Sequence, residues 1–236
     1  MLSLAPSYAA LCVTQAALVA APVRSGRPGR RRWLGIVLPA LALGAGVTVL
    51  RVVSGGPHAL ALFAAVATPA LAAAGARRAP VAVALWLVAW LAHGLLAQAA
   101  AVALIALAAT RIASLAAAVA PTWSIEVGLV ALVALDVILV WATPQVQPAS
   151  SALHGVALPS AAGHPIPALQ DATFGSATMG WLDLVAPALL AVVARRRLRA
   201  AAVTGLAAGV WGLLLTVTST VPATLPVLAG LVAARL

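Results

Sequence analysis

The spacing of the charges constrains this chain most. Apolar runs of about 20 residues follow one another, and most charges fall between them. About 20 mostly apolar residues is the length of a helix that crosses the hydrocarbon core of a bilayer. Of the 236 residues, 64% are hydrophobic and 8% charged, against about 25% charged in a soluble domain. So few charges cannot cover a water-facing surface. Disorder is excluded as well, because disordered segments are charged and poor in apolar residues.

The formal net charge of +10 taken alone suits a nucleic-acid partner, but its distribution excludes one. All 14 basic residues are Arg. They cluster at 24–32, 77–78 and 195–199 and at Arg235, with Arg51 and Arg111 standing apart. Short basic clusters beside apolar runs are topology determinants, whereas a phosphate-binding face gathers its cations on one folded surface.

The apolar runs predict an all-α, polytopic membrane helix bundle of nine transmembrane helices. The spans are 3–23, 33–53, 58–76, 79–97, 99–119, 123–142, 176–194, 199–217 and 220–236. The chain reads as one transmembrane domain over 1–236, with N-terminal spans 3–119 and a second group over 123–236. Only His93, Gly94 and Gln98 separate the fourth and fifth spans, and one long helix there would give eight. With nine, the Arg clusters fall on one side, so the positive-inside rule puts the N-terminus outside and the C-terminus inside. Arg111 is expected to snorkel toward the cytoplasmic end of its span. The first span has no basic region before it and reads as an uncleaved anchor. The single cysteine, Cys12, reads as a small buried residue. Arg-only basic usage and Ala-rich spans point to a prokaryote with a GC-rich genome, and hence to its cytoplasmic membrane.

The connection 143–175 is the one long loop. It holds Pro144, Pro148, Pro159, Pro165 and Pro167, with His154, His164 and Asp171. It carries no Arg, which suits the outer side, and both histidines are expected to be solvated. A loop of this length in a compact protein is usually functional or disordered.

The chain has four acidic residues. Asp171 lies in the outer loop, and Glu126 sits where it can reach water or an Arg. Asp136 and Asp183 are embedded in apolar helices, where a carboxylate is costly and marks a functional site by default. Counted along their helices, both lie roughly 9–11 Å below the outer ends of consecutive, antiparallel spans. Two close carboxylates do not readily ionise together, so such a pair shares a proton. That state serves an aspartic protease, in which one carboxylate takes a proton from water and the other gives one to the amide carbonyl. From depth alone, a proton-carrying transporter site or a structural hydrogen bond are the alternatives.

The residues around the two aspartates favour the first reading. They are Leu135-Asp136-Val137, Gly180-Trp181-Leu182-Asp183 followed by Leu184-Val185-Ala186-Pro187, and Pro222-Ala223-Thr224-Leu225. In span number and motif order the chain resembles the intramembrane aspartyl proteases of the presenilin and signal peptide peptidase family. That family carries Tyr-Asp in its sixth span, Gly-x-Gly-Asp in its seventh and Pro-Ala-Leu at the start of its ninth. Here Leu135 replaces the Tyr, Leu182 the second Gly and Thr224 the Leu. The resemblance implies that Asp136 and Asp183 form a catalytic dyad, and that no cofactor or metal is needed. It also implies that Gly180 shapes the turn at Asp183, while Pro222, Ala223, Thr224 and Leu225 shape the substrate side. Leu182 is expected to narrow access. The implied partners are transmembrane-segment peptides, and N-outside topology implies segments of the type II sense. An inactive relative, or a proton- or ion-coupled transporter built on the same aspartates, is the alternative.

Pro187, inside the seventh span, is expected to kink it or free a carbonyl near residue 183. Pro222 is expected early in the ninth helix, where its missing donor is tolerated. His58 and His93 have no ligand-spaced partners, so no metal site is predicted. Gly205 and Gly209 form a GxxxG pattern that predicts close helix packing. No P-loop, GxGxxG or HExxH pattern occurs.

Overall fold

The computed structural model describes residues 3–22, 32–52, 55–74, 78–142, 151–161, 163–216 and 221–236. The basic run up to Arg31, Arg77, Pro144 and Pro148 lie outside the described residues. The described chain is mostly helical. In order it forms α1 (Leu4–Ala20), α2 (Arg32–Val52), α3 (Gly56–Ala73), α4 (Ala79–Leu91), α5 (Gly94–Val119) and α6 (Thr122–Val137). A π-helical turn, Ile138–Ala142, continues α6. After the connection come α7 (Trp181–Val193), α8 (Arg197–Gly212), a 3₁₀ turn (Leu213–Thr216) and α9 (Leu225–Arg235).

Local chemistry sets several boundaries. Proline stands in the first turn of α3, α4 and α9 (Pro57, Pro80 and Pro226), where its missing N–H leaves no further bond unmade. The break between the fourth and fifth predicted spans is present. His93 is extended and Gly94 takes φ +65°, which turns the chain between α4 and α5.

Among the described residues, three helical segments are long and apolar enough to cross a membrane: Gly56–Ala73, Gly94–Val119 and Thr122–Ala142. Nine full-length spans are not what the helix lengths give. Predicted spans 79–97 and 176–194 yield helices of 13 residues each, and 220–236 yields one of 11. At about 1.5 Å per residue, 13 residues reach about 20 Å, short of the roughly 30 Å core. The missing lengths are made up differently: residues 94–97 belong to α5, and a turn at 223–224 leads into α9. Residues Ala177–Gly180 form a strand, and Pro222 precedes α9 rather than starting it.

The all-α expectation fits the described chain, with small strands added in the connection before α7. The connection contains a helical turn at 151–154 and two small hairpins. In one, β1 (Ser160–Ala161) pairs with β2 (His164–Pro165). In the other, β3 (Asp171–Phe174) pairs with β4 (Ala177–Gly180), with Asp171 opposite Gly180 and Phe174 opposite Ala177. Gly175 supplies the positive φ (+61°) that a two-residue hairpin turn requires. This hairpin is tied down from both sides. The Gly175 N–H donates to Gln98 Oε1 of α5 at 2.7 Å, and the Ser176 N–H donates to Ser7 Oγ of α1 at 3.1 Å.

The core centres on α7, whose residues from Leu184 to Ala191 are all buried. A helix apolar on every face belongs inside its bundle, and α7 packs against α1, α5, α6 and α9. Small residues bring the backbones together. Ala108, Ala109 and Ala113 of α5 are fully buried, and at Gly128 of α6 an added Cβ would overlap the Gly35 carbonyl oxygen of α2. The GxxxG expectation holds for only one of its glycines. Gly205 faces Ala16 of α1, whereas Gly209 faces open space; Gly212, outside the pattern, packs against Tyr8 of α1. Outward-facing side chains include Phe63, Val66, Leu206 and Val210, each at least two-thirds exposed. Such an apolar exterior suits lipid rather than water.

Candidate active site

Asp136 and Asp183 line one cavity of about 380 Å³. They reach it from different backbone settings. Asp136 lies in the last turn of α6, two residues before the start of the π-helical turn. Such π turns recur at functional sites because they re-aim the residues beside them. Asp183 lies in the first turn of α7 rather than seven helical residues below a span end, because 176 is in a turn and 177–180 is a strand. The helical depth count for Asp183 therefore does not apply.

The Gly180–Asp183 spacing has a local physical meaning. Gly180 caps α7 with extended backbone, and its N–H donates to Asp183 Oδ2 at 2.8 Å. This is the acid-to-cap half of a capping box, and the first turn of a helix favours a negative side chain. A Cβ at Gly180 would sit 3.1 Å from that same oxygen, so a side chain there would crowd the carboxylate.

Asp136 is held from the other end of the sequence. Thr224 Oγ1 donates to Asp136 Oδ2 at 2.6 Å, and the Thr224 N–H reaches the same oxygen at 3.4 Å. Thr224 is buried, at the N-cap position of α9. Pro222 lies two residues earlier, and its carbonyl accepts from Trp211 Nε1 of α8 at 3.0 Å. The Pro222-Ala223-Thr224-Leu225 segment is thus a hydrogen-bonded lead into α9. Thr224, where the resembled family has Leu, is its contact with Asp136.

Pro187 lies inside α7, fully enclosed, and the helix continues through it. It has no N–H to give the Asp183 carbonyl one turn earlier. That carbonyl accepts instead from Gln15 Nε2 of α1 at 3.1 Å.

The cavity is walled by Ala42, Gly46 and Val47 of α2 and by Leu60, Phe63 and Thr68 of α3. Gly180, Trp181 and Leu182 line it beside Asp183, so the side chain that departs from the family motif stands on the wall. The connection closes one side with Leu153, His154, Gln170 and Asp171. His154 is partly exposed, as expected of a solvated loop residue, but Asp171 beside it is buried. His154 Nδ1 pairs with Asp171 Oδ2, and Thr173 Oγ1 donates to Asp171 Oδ1 at 3.1 Å. The hydrogen bond to Asp171 holds the His154 pKa above its ordinary value, against the opposing effect of burial.

Three features of this site were not read from the sequence: the Gln15 contact, the π turn after Asp136, and the His154–Asp171 pair. A lone Gln in an apolar span and a proline four residues after Asp183 were the available signals for the first. Glu126 pairs with Arg235 across α6 and α9, away from the cavity residues. Among the described residues, Arg111 Nε has no hydrogen-bond partner. Also among them, no group of three or more His, Cys, Asp or Glu is gathered closely enough to hold a metal ion.

No protein-family model, curated protein or solved structure matches the chain.

Proposed function

We propose that the protein is an intramembrane aspartyl protease that hydrolyses peptide bonds within transmembrane segments. The observation that carries this reading is the sharing of one apolar-walled cavity by Asp136 of α6 and Asp183 of α7. Two carboxylates around one space, sharing one proton, are the minimum equipment for amide hydrolysis without a metal. One aspartate takes a proton from water as its oxygen attacks the scissile carbonyl carbon. The other gives its proton to the carbonyl oxygen. Collapse of the tetrahedral species breaks the C–N bond, and the leaving nitrogen takes a proton from the dyad.

The membrane arrangement we propose has nine crossings, N-terminus outside and C-terminus inside. The seventh crossing spans when its extended lead is counted. For α7, strand β4 at about 3.3 Å per residue and the helix at about 1.5 Å together approach the roughly 30 Å core. Extended backbone at that depth is tolerated only inside protein, and β4 is paired to β3 and tied to α1. Substrates are membrane segments of the type II sense, admitted past α2 and α3, and the membrane is the prokaryotic cytoplasmic one.

One observation favours a second reading. His154 and Asp171 line the same cavity as the two aspartates, which is the composition of a proton relay. A proton-coupled transporter would use that relay without cleaving peptides.

The deciding experiment reconstitutes the full chain in vesicles with a transmembrane peptide substrate. Cleavage that is lost in both Asp136→Ala and Asp183→Ala supports the protease. Cleavage retained in either variant sinks the dyad, and Asp136-dependent proton flux without cleavage moves the assignment to the transporter.

A further inference from the structure

We infer that Gln15, in the first helix, is a positioning residue for Asp183 and makes α1 part of the catalytic unit. This rests on the reading of Asp183 as half of a protease dyad. The argument begins with an accounting problem in α7. An α-helix satisfies each carbonyl with the N–H four residues later, and four residues after Asp183 stands Pro187, which has none. The carbonyl left over belongs to the residue that carries the carboxylate. It lies in a part of the chain where water does not reach every group, and a buried carbonyl without a donor is costly.

Gln15 answers that need. It is a fully buried glutamine in a helix otherwise made mostly of apolar and small residues. Burying an amide there is itself costly unless it is bonded, and its Nε2 donates to the Asp183 carbonyl at 3.1 Å. One contact between residues 168 positions apart meets the need of the carbonyl and of the amide N–H, while among the described residues Gln15 Oε1 has no hydrogen-bond partner. Ser7, two turns earlier on α1, accepts from the N–H of Ser176 in the turn just before β4. Thus α1 grips the segment that carries Asp183 at two points, before the cap at Gly180 and at the first helical turn. The Gly180 bond fixes the carboxylate relative to its own backbone, and Gln15 fixes that backbone relative to the bundle. A small tilt of this turn carries the carboxylate away from Asp136, and misplacement on the scale of 1 Å is enough to cost on the order of 100-fold in rate.

The test uses Pro187 as the reporter. The full chain is purified as wild type, Gln15→Met, Pro187→Ala and the double variant. Each is measured for thermal unfolding and for cleavage of a transmembrane peptide. Met conserves the length of Gln and removes the donor. Ala at 187 restores the N–H that the Asp183 carbonyl lacks. Gln15→Met is expected to lower kcat about tenfold or more with KM little changed, the size of effect that follows from an unmet buried hydrogen bond. Adding Pro187→Ala is expected to restore most of kcat and to raise the melting temperature by more than it does in the wild-type background. Additive effects in both measurements, or wild-type kcat in Gln15→Met, overturn the proposal. Non-additive melting temperatures with no cleavage by any of the four, wild type included, support the Gln15 contact and overturn the protease reading instead.

Discussion

Thr224 gives its hydroxyl and its backbone N–H to the same carboxylate oxygen of Asp136, at 2.6 and 3.4 Å. The two residues are 88 positions apart. One lies at the end of α6 and the other at the threshold of α9, so this pair of bonds closes the C-terminal part of the chain onto the cavity.

Thr224→Val keeps the shape of the side chain and removes the hydroxyl. A hydrogen bond to a charged group contributes about 1.5–3 kcal/mol, so cleavage is expected to fall on the order of 10- to 100-fold. Thr224→Ser is expected to retain most activity. Equal losses in Val and Ser would show that packing, not the hydroxyl, matters there.

Leu182 stands on the cavity wall beside Asp183. Leu182→Gly is expected to raise kcat/KM for substrate segments with bulky side chains, on the order of tenfold, as expected when a pocket gains the space of several methylenes. The same change is expected to cost about 0.5–1 kcal/mol of stability, because Gly is less favourable in a helix. A panel of peptides that differ in side-chain size at the scissile bond checks it, and an unchanged ranking counts against a narrowing role.

At Gly128 even a methyl group would meet the Gly35 backbone, which cannot swing aside as a side chain can. Gly128→Ala is expected to destabilise the α2–α6 packing by about 1–3 kcal/mol. Gly209→Ala meets nothing within 4 Å and is expected to be neutral or slightly stabilising. Unfolding in detergent, followed for both variants side by side, distinguishes a contact effect from a general preference for glycine.

The His154–Asp171 pair makes the connection pH-sensitive. Asp171 raises the folded pKa of His154 above its unfolded value near 6.5. The contribution of the pair is therefore fully present below about pH 6.5 and is lost as pH rises through the folded value. Amide exchange across 151–174 is expected to quicken as pH rises through that window, after correction for the intrinsic rate, and His154→Gln is expected to flatten the response. Protection that increases with pH would contradict the assigned direction.

Legibility in the sequence followed the range of the interaction. Apolar runs, proline starts and the Gly94 turn are local, and the helices near residues 56–142 lie close to their predicted places. The seventh span was misplaced at its start because Ala177–Gly180 is apolar enough to read as helix. Its strand conformation depends on pairing with β3 and on tethers from Ser7 and Gln98. Pro187 was legible as a source of a free carbonyl near residue 183, but not the side chain that satisfies it. Thr224 was legible only as a departure from a motif, since nothing in its neighbours names Asp136 as its partner.

By itself, then, the sequence determined the solvent this protein suits, its mainly helical character, the two aspartates as acids embedded in apolar segments, and the spacing that brings the Gly180 N–H to the Asp183 carboxylate. Each of these depends on composition or on residues within a turn of one another. Only the tertiary structure decided that both aspartates line one cavity, that Thr224 and Gln15 hold them, and that His154 and Asp171 close its side. The physical reason is that apolar helices pack through small residues and shape, which leave little trace in sequence order. The few buried polar groups then bond wherever that packing brings a donor to an acceptor.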